Sequence, residues 1–273
     1  MKTLYITDLD GTLLTPDEKI TAHTAATINA LVDVGMLFSY ATARPWATAG
    51  RLTAPLSARF PVILYNGAFI LDNVTGQPIK TNFLPDAESH RILNFLMENQ
   101  IYPLVYHYES GRETVSWHKE KANEEMNAFL EKYQGEIHRQ PSDSEEDLYH
   151  SPVYYITCID SREKLAPLYR ALKENPHINV ISQQDIYSGR QWLEIMPRAA
   201  SKASAALQLK QWLSCDRLVC FGDGKNDLSM FSVADECYAV ENAVPELKAV
   251  ATGIIPANTA DGVAQWLAEN ARY

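Results

Sequence analysis

Two carboxylates, Asp8 and Asp10, flank a single leucine at the end of the apolar run TLYIT, and Gly11 follows at once. Two more, Asp223 and Asp227, lie just beyond a second apolar run, RLVCFG, in the turn GDGKND, with Asn226 between them. Two other runs also finish in polar groups, MLFSYA at Thr42 and PVILY at Asn66. If these runs are strands of one parallel sheet, their terminal side chains share the carboxyl edge, where such sheets bind ligands. Several carboxylates crowded into a partly buried region cannot all stay ionised without compensation. A divalent cation supplies it, and an all-oxygen donor set favours Mg²⁺ over zinc or copper. Lys202 follows Ser201, a helix-capping residue, and so sits in a first turn, at the positive end of the helix dipole. An anion held between the two makes sense of that placement; a lysine on a solvated first turn is the plain alternative. Thr42-Ala43-Arg44 offers a hydroxyl and backbone N–H groups to phosphate oxygens, or simply caps a turn.

The elements that must position these groups are readable in outline. The four runs are near-continuously apolar rather than alternating, as expected of strands covered on both faces in a parallel sheet. Between the first two lies TAHTAATINALVDVG, with an apolar stripe at Ile28, Leu31 and Val32, Thr21 as N-cap and Gly35 as stop. Strand, helix, strand predicts a right-handed crossover and an α/β core. The rhythm lapses between about Phe83 and Arg190. There the sequence predicts a helix from Asp86, strands LVYHY and TVSWH, a helix from Glu120 to Tyr133 stopped by Gly135, the acidic loop SDSEED, and the strand VYYITCI. A further helix there carries a capping-box pattern, Asp160 with Glu163. In LVYHYES the alternation puts about half of the residues toward a core. The α/β pattern resumes at WLEIMP and SKASAALQLKQWL and runs to Arg272. The expectation is a core in two pieces, residues 1–82 and 191–273, with an α+β domain, residues 83–190, inserted between them.

Composition narrows the function classes. The chain has 273 residues, 46% hydrophobic and 21% charged, the make-up of an ordinary globular protein. A net charge of −10 disfavours non-specific binding to nucleic acid or to an anionic membrane. No run approaches the ~20 apolar residues that span a bilayer, and Asp8 and Asp10 interrupt the first apolar run too early for a signal peptide. The four cysteines, Cys158, Cys215, Cys220 and Cys237, form no CxxC pair and no metal-ligand spacing. A cytoplasmic protein with reduced thiols is expected, with no nucleic-acid or membrane partner. Dinucleotide binding of the Rossmann type is disfavoured, because no GxGxxG follows the first strand.

Four segments in order, Asp8-Leu9-Asp10-Gly11-Thr12, Thr42-Ala43-Arg44, Ser201-Lys202 and Gly222-Asp223-Gly224-Lys225-Asn226-Asp227, resemble the haloacid dehalogenase (HAD) superfamily of aspartate-nucleophile phosphohydrolases. Asn66-Gly67, a large insertion after it, Asn242-Ala243 and Asp261-Gly262-Val263 are similar to the Cof-type, subfamily IIB phosphatases. Three departures stand out: Ala43 and Glu241 where glycine is usual, and Arg198-Ala199-Ala200 without the usual glycine before Lys202.

The resemblance implies a Rossmann-like doubly wound parallel core with an inserted α+β cap that closes over the pocket. It implies a Mg²⁺-dependent phosphatase acting on a small phosphorylated metabolite, such as a sugar, polyol or cofactor phosphate. Asp8 is then the nucleophile that becomes an aspartyl-phosphate, and Asp10 the acid/base. Asp8, the backbone carbonyl of Asp10 and Asp223 are the metal ligands, with Asp227 steering ligands from behind. Leu9 through its N–H, Thr42, Ala43, Lys202 and Asn226 hold the phosphoryl oxygens. Asp10 argues against dehalogenases and phosphonate-cleaving relatives, which lack an acid there. A phosphomutase, or a non-catalytic phosphate-ligand sensor on the same scaffold, remains the alternative.

Overall fold

The computed structural model describes residues 1–57, 60–109, 111–132, 138–184 and 189–272. In chain order the elements are β1 (Thr3–Thr7), α1 (Ala22–Asp33), β2 (Leu37–Tyr40), α2 (Trp46–Leu52), β3 (Val62–Leu64), β4 (Phe69–Leu71) and β5 (Pro78–Thr81). Next come α3 (Asp86–Glu98), β6 (Leu104–Glu109), β7 (Arg112–His118), α4 (Glu124–Lys132), β8 (His138–Ser142), β9 (Val153–Asp160), α5 (Arg162–Leu172), β10 (Ile178–Gln184) and β11 (Gln191–Pro197). The last are α6 (Lys202–Trp212), β12 (Arg217–Gly222), α7 (Leu228–Phe231), β13 (Glu236–Val240), α8 (Pro245–Lys248), β14 (Gly253–Ile255) and α9 (Gly262–Asn270). They fall into two compact units, Met1–Lys80 with Ala200–Tyr273, and Thr81–Ala199.

The first unit is built on a parallel sheet of order β14-β13-β12-β1-β2. From β1 the chain steps one way to β2, then returns on the other side through β12, β13 and β14. The switch point therefore lies between β1 and β12. Continuous apolar sequence is explained by burial: every residue of β1 is buried, and so are Leu218–Gly222 of β12. This is the α/β, Rossmann-like, doubly wound architecture. Thr21 caps α1 through its side chain, which accepts from Thr24 N, and the chain turns after α1 at Gly35, φ +109°.

One run behaves differently from expectation. Among the described residues PVILY meets the main sheet in one parallel bridge, Ala41 to Ile63, and pairs along its length with β4 in a separate three-stranded sheet, β3-β4-β5. The cause is the turn Tyr65-Asn66-Gly67, whose φ values of +49°, +51° and +102° reverse the chain at once into an antiparallel partner. Asn66 nevertheless stays at the carboxyl edge, tied by its N–H to Thr42 O.

The second unit has a six-stranded sheet, β10-β11-β9-β6-β7-β8, antiparallel except for β7 with β8. Helices α3 and α5 supply Leu93, Leu96, Leu165 and Leu168 to a core that includes Val105, Ile156 and Ile195 of the sheet. WLEIMP belongs here, not to the first unit: β11 pairs with β9 and β10, and the unit extends to Ala199. An apolar run alone does not reveal which sheet will receive it. The helix expected from Glu120 starts at Glu124, because Asn123 Oδ1 accepts the Met126 N–H and Lys119–Lys121 form a separate short turn. Its expected end at Tyr133 and Gly135 lies outside the described residues. The helix α5 is preceded by Ser161 rather than Asp160, whose carboxylate instead accepts from Ser161 N and Lys164 Nζ. SDSEED is not wholly loop: Ser142 ends β8 and Glu145–Tyr149 form a 3-10 turn. Val105, Tyr106 and His107 are all buried, so alternation in β6 does not expose one face. Among the described residues no helix is long and apolar enough to cross a membrane.

Candidate active site

Three of the four acids singled out in the sequence converge at the switch point. Asp8 leaves β1 with its N–H on Phe221 O, and its side chain is buried. Lys202, on the first turn of α6, is fully buried and donates from Nζ to Asp8 Oδ1 and to Asp227 Oδ1, each at 2.6 Å. The cation at the wrong end of its helix is thus explained by two carboxylates. Asp227 uses its other oxygen, Oδ2, to accept from the N–H groups of Asp223 and Gly224 at 3.0 Å. Asp223 Oδ1 accepts from the Thr12 hydroxyl at 3.1 Å. Asp8, Asp223 and Asp227 each bring one oxygen within 4.8 Å of the others.

Two glycines make this crowding possible. A Cβ on Gly222 would lie 2.7 Å from Asp227 Cγ, and one on Gly11 would lie 2.3 Å from Asp223 Oδ2. Gly11 also adopts φ +73°, which an L side chain resists. Behind the turn, Asn242 Nδ2 donates to Gly11 O at 2.7 Å, and Asn258 Nδ2 to Leu14 O at 2.7 Å. Asn242 Oδ1 accepts from Asn258 N, so the two asparagines brace the Asp8–Leu14 segment together.

The electrostatics are those of an acid excess. Burial first, then the Asp227 charge, push the Asp8 carboxyl well above the usual range, with Lys202 opposing. The same two causes raise Asp223 to about 7, against Lys202 and the Thr12 hydrogen bond. Lys202 is pulled down by burial, but Asp227 and Asp8 more than reverse this and hold the ammonium charged. One ammonium among three buried carboxylates leaves negative charge uncompensated, which is the setting a divalent cation fits. Asp8 Oδ2 and Asp223 Oδ2 accept no hydrogen bond among the described residues and are the oxygens open to it. Asp227 is less open, since both of its oxygens are engaged.

The fourth acid departs from the cluster. Asp10 turns its carboxylate to Arg44, which binds both oxygens, so any part it takes in holding a cation falls to its backbone carbonyl. Thr42 is buried at the end of β2; its Oγ1 accepts from Arg44 N and its N–H donates to Ile63 O. The Thr42 hydroxyl proton, and the N–H groups of Leu9 and Ala43, donate to nothing among the described residues. Ala43 is not among the residues with positive φ, so its Cβ is accommodated where glycine was expected. Asn226 Nδ2 is directed to Asn66 Oδ1 at 3.3 Å. The motifs quoted above contain Arg44, Thr12 and Asn242 but do not reveal which groups their side chains reach.

The family model of the haloacid dehalogenase-like hydrolases matches this chain over residues 5–267. The chain belongs to that family. This hydrolase is 29% identical to the 5-amino-6-(5-phospho-D-ribitylamino)uracil phosphatase YwtE of Bacillus subtilis, over 98% of this chain and 97% of that one. It is 26% identical to the HMP-PP phosphatase of Serratia proteamaculans, over 89% of this chain and 85% of the relative. Its fold superposes on TM0651 of Thermotoga maritima with a TM-score of 0.79 at 24% identity, covering 100% and 99% of the two chains. The hydrolase is a Cof-type member of the HAD superfamily and a phosphoric monoester hydrolase.

Proposed function

We propose that this hydrolase cleaves small phosphate monoesters through an aspartyl-phosphate on Asp8, with Mg²⁺ as cofactor. The observation that carries the reading is the buried Lys202 bridging Asp8 and Asp227 at 2.6 Å, at the switch point of the sheet. A carboxylate nucleophile suits phosphoryl transfer, and an ammonium fixed beside it lessens repulsion of the incoming phosphate. Asp8 and Asp223 would hold Mg²⁺ with the backbone carbonyl of Asp10, and Asp227 would keep Asp223 and Lys202 in place. When bound, Mg²⁺ neutralises charge on the phosphoryl oxygens.

In the first step an Asp8 oxygen attacks phosphorus, the P–O bond to the alcohol breaks, and Asp10 gives a proton to the departing oxygen. In the second, Asp10 takes a proton from water as that water attacks phosphorus, and Asp8 returns as a carboxylate with inorganic phosphate released. The Leu9 and Ala43 N–H groups, the Thr42 hydroxyl and Lys202 offer hydrogen bonds to the phosphoryl oxygens as charge spreads over them. Asn226 joins them if it gives up its long bond to Asn66. The substrates named for the two relatives, 5-amino-6-(5-phospho-D-ribitylamino)uracil and HMP-PP, favour a small phosphorylated metabolite. In this reading Thr81–Ala199 acts as the cap that selects it.

The test is a panel of sugar, polyol and cofactor phosphates, assayed with Mg²⁺ and with EDTA. Mg²⁺-dependent release of inorganic phosphate is expected. Isomerised phosphate ester without release would mark a phosphomutase, and binding without turnover a sensor.

A further inference from the structure

Arg44 grips the Asp10 carboxylate with two parallel bonds, Nε to Oδ2 at 2.8 Å and Nη2 to Oδ1 at 2.6 Å. The same Nη2 lies 3.5 Å from Glu18 Oε1. Arg44 is itself fixed at the backbone, its N–H on Thr42 Oγ1 at 3.1 Å. Glu18 is fixed too: its N–H donates to Thr15 O, and Thr15 N to Lys19 O, in a turn where Glu18 adopts φ +56°. The Arg44 side chain is only 10% exposed, so these bonds form largely away from water.

A two-pronged guanidinium–carboxylate pair sets the plane of the carboxylate as well as its distance. A side chain with two free torsions would otherwise sample several rotamers. Proton transfer in phosphate-ester cleavage demands a fixed geometry, since a misplacement of about 1 Å can cost roughly a hundredfold.

We propose that Arg44 is the positioning residue for Asp10, holding its carboxylate in one orientation for proton transfer, and that Glu18 holds Arg44 in turn. The inference rests on Asp10 being the acid/base of the proposed reaction. The grip survives the transfer: with a proton on Oδ1, Oδ2 still accepts from Nε, and Glu18 Oε1 takes up Nη2.

The experiment compares kcat/KM on p-nitrophenyl phosphate with kcat/KM on the alkyl phosphate that the wild-type protein hydrolyses fastest. This ratio reports attack on the ester, and nitrophenolate leaves with little need of an acid, whereas an alkoxide needs one. Arg44→Lys and Arg44→Gln are expected to lose about a hundredfold on the alkyl ester and less than about tenfold on the aryl ester. Glu18→Ala, on a surface turn, is expected to show the same preference at roughly five- to tenfold, and it carries the test if the Arg44 variants do not fold. Mg²⁺ affinity is expected to stay at the wild-type value. Equal losses on both esters in folded variants, or an undiminished alkyl rate, would overturn the inference. A wild-type protein inactive on every ester overturns the phosphatase reading instead.

Discussion

Asp8 and Asp10 stand two residues apart yet have different surroundings, and in the proposed reaction that difference suits them to different work. Asp8 is buried against Lys202, and Asp10 is partly exposed and held by Arg44. Asp8→Asn keeps the shape and the Lys202 contact but removes the proposed nucleophile. It is expected to lower turnover by more than about a thousandfold with an unchanged circular dichroism spectrum; comparable activity in the variant would remove Asp8 from the role. Gly222→Ala tests the crowding itself. The added methyl would meet Asp227 at 2.7 Å, so Asp227 and Lys202 must shift. A stability loss of about 1–3 kcal/mol in urea unfolding, with a matching fall in kcat, is expected.

At the scale of elements, the site depends on segments far from it in sequence. Asp261 Oδ1 accepts from both the Thr21 and Thr24 hydroxyls, at 2.6 and 2.8 Å, pinning the start of α9 to the start of α1. Asp261 itself adopts φ +56°, and a Cβ on Gly262 would lie 1.8 Å from Pro256 O. Asp261→Gly removes the hydrogen bonds but tolerates the left-handed backbone; Asp261→Ala removes both advantages. Calorimetry is expected to show a loss of about 1–3 kcal/mol for the glycine variant, and about 1 kcal/mol more for alanine. Asn242 and Asn258 brace the Asp8–Leu14 segment from behind. Their role was not legible in the sequence, because nothing local says which turn an asparagine side chain will reach.

Over the whole molecule, the acid excess couples stability to pH and, in the proposed function, to a bound cation. Asp223 is raised from an ordinary carboxylate value to about 7, and Asp8 is raised as well. Between about pH 4 and pH 7 these two carboxyls bind more protons in the native state than in the unfolded chain, so their contribution to the stability of the metal-free protein falls as pH rises through that window. A cation bound to the ionised pair offsets this. The melting temperature in Mg²⁺ is expected to exceed that in EDTA by several degrees at pH 8, and by roughly nothing at pH 5. Taking the difference between the two curves removes His107, which acts oppositely: burial pulls it down to about 4, so it costs stability as pH falls below its ordinary range. An equal shift at both pH values would contradict the assignment of the cation to these carboxylates.

The α/β class, the strand ends and the four chemical motifs were legible from sequence alone, because they rest on local features. Near-continuous apolar runs, a Thr21 cap and glycines at turns act over a few residues, and each left its mark where it acts. Pairing was decided only in three dimensions. WLEIMP is an apolar strand in any context, and long-range register placed it in the second sheet. PVILY carries the same signature as β1, yet the left-handed turn after it gave it a different partner. The site shows the same division: four aspartates were evident, but the side-chain cluster holds Asp8, Asp223 and Asp227, while the Asp10 carboxylate turns to Arg44. Lys202 meets Asp8 across 194 residues of chain, and Arg44 meets Asp10 across 34. Contacts at such separations are set by how strands stack beside one another, which no local propensity encodes.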